Sequence, residues 1–328
     1  MKKRLSISDI ANDLGISVTT VSFILNGKAR EKRISESLTK RVQEYVKKVG
    51  YKPNQLAKSL RTGKTKSIVL LVEDISNPFF ANIADHIEQQ AYEHGYHIIY
   101  CSVKNDEQRA KELINLFYDR QIDGFIIAPT EGLSDVINVL LKRGVPVVLF
   151  DRPLVDVDAH TVITENEKGA FDGTMFLLQE KKAKRIGFVT ITSSQSQMKG
   201  RLEGYMKAVD SVGMDLLVKK INPSQKDEEV VDQLRDFIQD NKLDAIFFAT
   251  NYLAINGLRA IKKYKLDIEK LVSFDENAAF ELVVPPVSAI SQNIPEIAKQ
   301  VVRILLSQIN GKLESVEKVV VPCKLIAR

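Results

Sequence analysis

The chain has 328 residues, 44% of them hydrophobic and 27% charged, a balance that is ordinary for a globular protein of two or three domains. It contains no apolar run long enough to cross a bilayer, and its basic start leads into Ser6 and Asp9 rather than an apolar segment, so we expect a cytoplasmic protein with no membrane partner. The two cysteines, Cys101 and Cys323, have no CxxC partner or nearby histidine, so the sequence gives no metal signature and favours reduced thiols.

The net charge of +5 conceals an uneven distribution. Residues 1–66 hold 16 Lys and Arg against 5 Asp and Glu, a net of +11, whereas the remaining 31 and 37 give a net of −6. A basic N-terminal piece on a mildly acidic body indicates a polyanion-binding module attached to a larger domain.

Three short amphipathic helices are predicted in the basic piece. The first covers residues 6–15 and starts with a capping box of Ser6 and Asp9; the second covers residues 17–27 and the third residues 35–50. Two short helices joined by a glycine-containing turn are typical of a helix-turn-helix, whose second helix enters the DNA major groove. Cations that can contact phosphates lie in the following loop and on the third helix: Lys28, Arg30, Lys32, Arg33, Lys40, Arg41, Lys47 and Lys48. The alternative is a solvated basic bundle with no DNA-binding role.

The segment that follows, residues 54–63, is helix-prone but too short to be a stable helix alone in water. We expect it to order only against DNA or a partner chain. The predicted organisation is therefore a helix-turn-helix headpiece over residues 1–53, a hinge helix and linker over 54–66, and a body over 67–328.

From residue 67 onward, apolar runs alternate with amphipathic helical patterns, which is typical of βαβ units and a mostly parallel sheet. A first series of strands is predicted at 67–72, 97–102, 124–128 and 145–150. A second series is predicted at 161–164, 185–190, 245–250 and 271–274, with helices around 168–180, 197–212, 228–241 and 253–264. Two series predict two lobes, the first of about 67–160 with 292–320, and the second of about 161–291 with 321–328.

Polar and aromatic residues follow several of these strands, where ligands bind in open α/β sheets. A carboxylate, a guanidinium, amides and an aromatic face are the groups that a polyhydroxylated ligand requires. They come from Asn77, Phe79, Asp151, Arg152, Ser193 to Gln197, Arg201, Asn251, Asp275 and Gln292. Each of the Asp and Asn residues has the alternative role of capping the next helix.

Four motifs, in this order, carry a resemblance to a known family. They are ThrThrValSerPheIleLeuAsnGly at 19–27, GlyTyrLysProAsn at 50–54, AlaLysSerLeuArgThrGly at 57–63 and AsnProPhePhe at 77–80. With them the whole chain resembles the lac-repressor/gal-repressor family of bacterial regulators. The resemblance implies an all-α headpiece followed by a two-lobed, periplasmic-binding-protein-like α/β effector domain (type I) with parallel sheets.

In DNA binding, the resemblance implies a homodimer on a pseudo-palindromic double-stranded operator, associated with the nucleoid when bound. Leu60 matches the wedge that a hinge helix inserts into the minor groove, with Ala57 beside it. Family members commonly carry Arg at the position of Phe23, so Phe23 either contacts a thymine methyl or packs structurally. The full predicted DNA-contact set is Ser6, Ser17, Val18, Thr19, Thr20, Ser22, Phe23, Asn26, Lys28, Arg30, Tyr51, Asn54, Ala57, Leu60 and Arg61.

In the body, the resemblance implies a small polar effector, most simply a sugar or sugar derivative, that controls operator affinity. The positions that match effector-binding residues of the family are Phe79, Asp151, Arg201, Asn251, Asp275 and Gln292. Members usually carry Asp after the Asn of this set, whereas this chain has Tyr252, so the effector or the closure of the lobes differs.

No catalytic signature is present in the sequence, so we expect neither an enzyme nor a cofactor. The histidines show no HExxH spacing, no serine lies in GxSxG, and no GxGxxG follows the first strand. The triplet Gly63-Lys64-Thr65 resembles the end of a P-loop, but residue 58 is Lys58 rather than Gly. The two alternatives are a sugar-binding protein without a regulatory role and an α/β enzyme acting on a sugar or nucleotide.

Overall fold

The computed structural model describes residues 5–51, 63–313 and 315–328. The chain divides into two compact units between Thr65 and Lys66. Within the described residues, no helix is both long and apolar enough to span a membrane.

The first unit is a three-helix domain formed by α1 (Ile7–Leu14), α2 (Val18–Leu25) and α3 (Glu36–Val49). The serine before each helix accepts a hydrogen bond from a first-turn amide, and Gly15 and Gly50 end α1 and α3 with left-handed backbones. One apolar face of each helix packs into a shared core of Ile10, Ala11, Leu14, Val21, Ile24 and Val42. The predicted helices and their caps are confirmed.

The second unit alternates strands and helices, as the βα pattern predicts. Its strands are β1 (Ser67–Val72), β2 (His97–Ser102), β3 (Gly124–Ile127), β4 (Val147–Phe150), β5 (His160–Thr164), β6 (Ile186–Ile191), β7 (Leu217–Ile221), β8 (Ala245–Phe248), β9 (Lys270–Phe274), β10 (Ser288–Gln292), β11 (Lys318–Val321) and β12 (Cys323–Ile326). Its helices are α4 (Pro78–Glu93), α5 (Glu107–Asp119), α6 (Ser134–Lys142), α7 (Asn166–Gln179), α8 (Ser196–Asp210), α9 (Asp227–Asp240), α10 (Asn251–Tyr264) and α11 (Ile294–Ile309), with a 3₁₀ turn at Ala278–Glu281.

The strands form two six-stranded sheets of the same topology, in the orders β11-β5-β4-β3-β1-β2 and β12-β10-β9-β8-β6-β7. Every pairing is parallel except that of β12, which runs antiparallel to β10. Each sheet has an apolar core on both faces, because helices cover both sides. Two lobes of the predicted kind are confirmed, and the repeated strand order shows that they are built alike.

The boundary between the lobes differs from the sequence prediction. We expect Thr161–Thr164 to begin the second lobe, yet β5 pairs with β4 and β11 and therefore belongs to the first sheet. Gln292, expected in the first lobe, ends β10 of the second sheet. The reason is that the chain passes to the other lobe directly after β5 and directly after β10. An apolar run in the sequence predicts a strand but does not specify which strands lie beside it in the sheet.

The chain passes between the lobes three times. The passages run from β5 to α7 (Thr164 to Asn166), from β10 to α11 (Gln292 to Ile294), and from β11 to β12 (Val321 to Cys323). Each passage leaves a single residue between the two elements that it joins, so all three connections between the lobes are short.

Candidate functional site

The predicted reading helix, α2, presents a small and uncharged surface. Val18 is 41% exposed and Thr19 is exposed, whereas Val21 and Ile24 point into the core. Ser17 Oγ accepts from the Thr20 amide at 3.0 Å and lies 2.8 Å from the Thr20 hydroxyl. These side chains fix the start of the helix and leave its first turn accessible for base contacts.

The next turn of α2 carries two predicted contacts that also bond within the helix. Asn26 Nδ2 donates to the Ser22 carbonyl at 2.6 Å and to its hydroxyl at 3.3 Å. Phe23 is half-buried but lies outside the apolar core of the headpiece, with the Lys32 ammonium 5.5 Å from its ring centroid. A large ring that the core does not enclose remains available to an outside partner.

The other predicted DNA contacts fall into three groups. Lys28 and Arg30 are exposed in the loop after α2, where cations can meet phosphates. Ser6 forms the capping box with Asp9, and Tyr51 packs against the headpiece core. The hinge positions lie outside the described residues, so their roles stay predictions: Asn54, Ala57, Leu60 and Arg61.

Two aspartates occupy equivalent places in the two lobes. Asp151 follows β4 and Asp275 follows β9, and both have a left-handed backbone, with φ of 68° and 69°. The Asp151 amide donates to Val162 O at 3.1 Å, and the Asp275 amide donates to Ile290 O at 3.0 Å. The hydrogen bond to the neighbouring strand thus holds each aspartate at the edge where the lobes meet, with a φ that is uncommon for a residue other than glycine.

Arg201, from α8, is the central cation of the site and is only 2% exposed. Its Nε donates to Asn166 Oδ1 at 2.9 Å, and its Nη1 donates to Ala249 O at 2.7 Å and to Asp275 Oδ2 at 3.3 Å. Its guanidinium also stacks 3.7 Å from the Phe274 ring centroid. These contacts use the planar fork of arginine, which lysine lacks.

Gln292 connects the two sheets through hydrogen bonds. Its Nε2 donates to Asp275 Oδ1 at 2.6 Å, and its Oε1 accepts from the Thr164 hydroxyl at 2.5 Å. Thr164 ends β5 of the first sheet, whereas Gln292 ends β10 of the second. The carboxylate of Asp275 is therefore oriented from one side by Arg201 and from the other by Gln292.

A second cluster of charged side chains, formed by Arg152, Asp151 and Glu73, lies in the first lobe. Arg152 Nε is 3.2 Å from Asp151 Oδ2, and its Nη2 donates to Glu73 Oε2 at 2.7 Å. Gln197 of the second lobe donates from Nε2 to Asp151 Oδ2 at 3.3 Å. Burial raises the pKa of Asp151, and the positive charges of Arg152 and Arg201 oppose this rise only in part.

The side chains of both lobes enclose a cavity of about 40 Å³. Five of the six predicted effector residues line it: Phe79, Asp151, Arg201, Asp275 and Gln292. Phe79 supplies an apolar wall, its ring 5.0 Å from that of Phe80 in an edge-on arrangement. Other polar lining comes from Glu73, Asn77, Gln195, Gln197, Thr250 and Tyr252.

Asn251 is placed differently from the other five. It is the first residue of α10, is 2% exposed and does not belong to the cavity wall, which its neighbours Thr250 and Tyr252 reach. Its Nδ2 has no hydrogen-bond partner among the described residues. Contact of Asn251 with a ligand stays a prediction.

Glu73 is one of the wall residues that the sequence analysis misses, together with Thr250. It directly follows β1, so the rule that ligands bind beyond the carboxyl ends of strands points to it. Its role depends on Arg152, 79 positions away, and neither motif nor spacing shows that contact. Among the residues that the structure describes, no group of three or more His, Cys, Asp or Glu could hold a metal ion.

Comparisons with known proteins match both units. The model of the lacI family of bacterial regulatory proteins covers residues 6–54, and the model of the periplasmic binding protein domain covers residues 68–313, more than half of the chain. The chain belongs to the lacI family of bacterial regulatory proteins. As a lacI-family member it is a DNA-binding transcriptional regulator and not an enzyme, and the resemblance found in the sequence is confirmed.

Individual relatives extend over nearly the whole lacI-family chain. The HTH-type transcriptional regulator RegA of Clostridium saccharobutylicum is 28% identical over 318 residues, which cover 94% of this chain and 93% of RegA. The lac repressor dimer bound to operator and the anti-inducer ONPF has a similar fold, with a TM-score of 0.86 at 20% identity, covering 99% of this chain and 98% of that one. A lacI-family regulator from Enterococcus faecium with bound ribose has a TM-score of 0.72 at 24% identity, covering 80% of this chain and 97% of that one.

Proposed function

We propose that this regulator is a homodimer that binds a pseudo-palindromic operator through its headpiece, and that a neutral polyhydroxylated ligand, a sugar or sugar derivative, sets its operator affinity. The ligand binds between the two lobes of the second unit. Since the operator is chromosomal DNA, the proposal includes a cytoplasmic location and association with the nucleoid.

The observation that carries the ligand class is the donor and acceptor set of the interlobe cavity. Asp151 and Asp275 supply acceptors, Arg201 supplies donors, and Gln197 and Gln292 supply both. A sugar hydroxyl donates one hydrogen bond and accepts others, so it can satisfy both kinds of group. The buried faces of Phe79 and Phe80 suit the C–H face of a sugar ring.

The charges of the cavity argue against a phosphorylated ligand. Three carboxylates, from Glu73, Asp151 and Asp275, face two guanidinium groups, from Arg152 and Arg201. The ion pairs between them leave no surplus positive charge. A phosphate would meet three carboxylates, whose like charge repels it, while the two guanidinium groups are already paired with those carboxylates.

The small size of the cavity means that ligand binding requires a movement of the lobes or of their loops. Its volume of about 40 Å³ is close to that of a single water molecule, so a sugar enters only when the lobes or their loops move. Two hydrogen bonds already join the lobes near the opening, from the Ser194 hydroxyl to Glu131 and from Gln197 to Asp151. A ligand that replaces such contacts changes lobe closure, and that change is the signal that regulates operator binding.

Calorimetry on the full-length protein tests the ligand class. Neutral monosaccharides, sugar phosphates and nucleobases are titrated separately, and operator affinity is then measured by fluorescence anisotropy with and without each binder. We expect a neutral sugar to bind and to change operator affinity. Binding of sugar phosphates or nucleobases with no binding of any neutral sugar would contradict the proposal.

A pair of arginine variants locates the site. Arg201→Ala removes a buried, hydrogen-bonded charge, and we expect it to weaken sugar binding by at least about a hundredfold. Arg185→Ala is the matched control, because Arg185 is on the same lobe, half-exposed and outside the cavity. Equal losses in the two variants would show that the sugar binds elsewhere.

A further inference from the structure

A second pocket opens beside the interlobe cavity, at the line where the lobes meet. Its volume is about 410 Å³, within the range of about 300–1,000 Å³ that is usual for small-ligand pockets. Its walls include Pro153 and Ile163 from the first lobe and the N-terminal turns of α7 and α8.

The second pocket and the interlobe cavity share two wall residues, Asp151 and Gln197. Gln197 is 5% exposed, and its Oε1 has no hydrogen-bond partner among the described residues, although its Nε2 donates to Asp151 and Gln195. A buried carbonyl oxygen without a donor is destabilising, and a hydroxyl group of a ligand lying between the two spaces would satisfy it.

Donors of the second pocket come from two helix starts. No side-chain hydrogen bond caps α7 or α8, whose N-cap residues are Glu165 and Gln195, so the first amides of both helices can donate to a ligand. Acceptors are supplied by Asp151 and by Glu165, whose carboxylate forms no hydrogen bond or ion pair with the part of the chain that the structure describes.

The side chains of the second pocket supply no surplus positive charge for an anion. The carboxylate of Glu167 pairs with Lys207, and the ammonium of Lys168 pairs with Asp172, so neither adds net charge. Asp151 and Glu165 remain, and they leave the pocket acidic or neutral. Amide donors beside carboxylate acceptors are the surroundings that hydroxyl groups need, because one hydroxyl both accepts and donates.

We propose that the effector is larger than a monosaccharide and that its second hydroxylated unit binds in the second pocket, next to Glu165 and Gln197. This inference rests on the proposed function, in which the first unit occupies the interlobe cavity. The effector class is then a neutral disaccharide, or a glycoside whose substituent has hydroxyl groups.

Calorimetry with the full-length protein tests the second pocket. The probes are a panel of neutral disaccharides and the monosaccharides from which each is made. We expect a disaccharide to bind at least about tenfold more tightly than either of its units, as one or two further hydrogen bonds to charged or buried groups imply. Glu165→Ala should remove this gain and leave the dissociation constant of the monosaccharide unchanged, which also shows that the variant folds.

Two further variants sharpen the test. Glu203→Ala removes an exposed carboxylate from α8 outside both pockets, and it should leave the disaccharide gain intact. Ser196→Tyr puts a ring into the pocket wall and should abolish the gain through bulk alone. Monosaccharide binding without a preference for any disaccharide, or equal effects of Glu165→Ala and Glu203→Ala, overturns the second pocket alone. Failure of every sugar to bind overturns the proposed function and this inference together.

Discussion

Single residues of the proposed effector site are held by partners from several elements, and Arg201 shows this most clearly. Its guanidinium contacts Asn166 at the start of α7, the Ala249 carbonyl after β8 and Asp275 after β9. These groups fix its orientation before any ligand arrives. Because the side chain is already ordered, less conformational entropy is lost when a ligand binds to it.

The buried carboxylate of Asp151 predicts a pH dependence of effector binding. Burial raises its pKa above the ordinary aspartate value of 3.8, while Arg152 and Arg201 oppose the shift. The charged form accepts from a ligand hydroxyl and the protonated form loses an acceptor, so affinity is full above the raised pKa and falls as the pH drops through it. Calorimetry from pH 7 down to about pH 4.5 should show this fall in the wild type, starting above the ordinary range.

Asp151→Asn should flatten that pH profile, because the amide does not titrate. Asp210→Asn changes an exposed carboxylate at the end of α8 and serves as the control, with the wild-type profile retained. If both variants kept the wild-type pH profile, a group other than Asp151 would be responsible for the pH dependence of effector binding.

Phe23 offers a test between its two roles, contact with thymine or internal packing. Val21 is fully buried in the headpiece core, so Val21→Ala should lower the free energy of unfolding of the headpiece by roughly 1–3 kcal/mol. Phe23 lies outside that core, so Phe23→Ala should cost under about 1 kcal/mol and yet reduce specific operator affinity.

The measurements for this pair are thermal unfolding and anisotropy titrations at one salt concentration, on operator and on unrelated DNA. A base contact predicts a loss on operator DNA that exceeds the loss on unrelated DNA. A packing role would instead give Phe23→Ala the same unfolding cost as Val21→Ala and an unchanged ratio of the two affinities.

At the scale of elements, α7 and α8 position two side chains of the proposed effector site, Asn166 and Arg201, which hydrogen-bond to each other. They approach closely at Gly204, where a Cβ would overlap the backbone oxygen of Glu167 and lie 2.8 Å from the Phe171 amide nitrogen. One turn earlier, a Cβ at Gly200 would be 3.4 Å from Asn166 Cβ, an ordinary contact. Only one of the two glycines is therefore required by packing.

Gly204→Ala should lower the free energy of unfolding by about 1–3 kcal/mol, because backbone atoms of α7 cannot yield as a side chain can. Gly200→Ala should be neutral or stabilise by up to about 1 kcal/mol, since alanine favours the helix. Urea unfolding of both variants measures the difference. Equal stabilities would mean that the two helices separate without cost.

The sequence predicts most elements of the second unit, because buried parallel strands are continuous apolar runs. It does not predict β7, an edge strand that contains Lys219 and Lys220, or the short strands β10, β11 and β12, nor does it assign β5 to its sheet. In the site, the strand-end rule finds Asp151 and Asp275, since it needs only the end of a run. Contacts between distant segments, such as Arg152 with Glu73, depend on how the lobes fold and are not encoded in local pattern.

At the scale of the whole molecule, the chain divides into two compact units between Thr65 and Lys66, and we assign DNA binding to the first and effector binding to the second. Each unit has its own apolar core, so a fragment of residues 66–328 should fold alone. We expect it to bind the effector with the affinity of the full chain and to lose specific operator binding. Calorimetry and anisotropy on the fragment measure the two properties, and operator affinity retained by residues 66–328 would refute the assignment of DNA binding to the headpiece.

The three short passages between the lobes limit the ways in which one lobe can move against the other. Hydrogen bonds hold the passages side by side, so we expect them to oppose sliding and separation of the lobes and to favour rotation. Ligands of different size then differ in how far they turn the lobes and not in the direction of the turn. The angle between the lobes would then be the quantity that each ligand sets. An activating and an inhibiting compound would correspond to two angles of the same rotation.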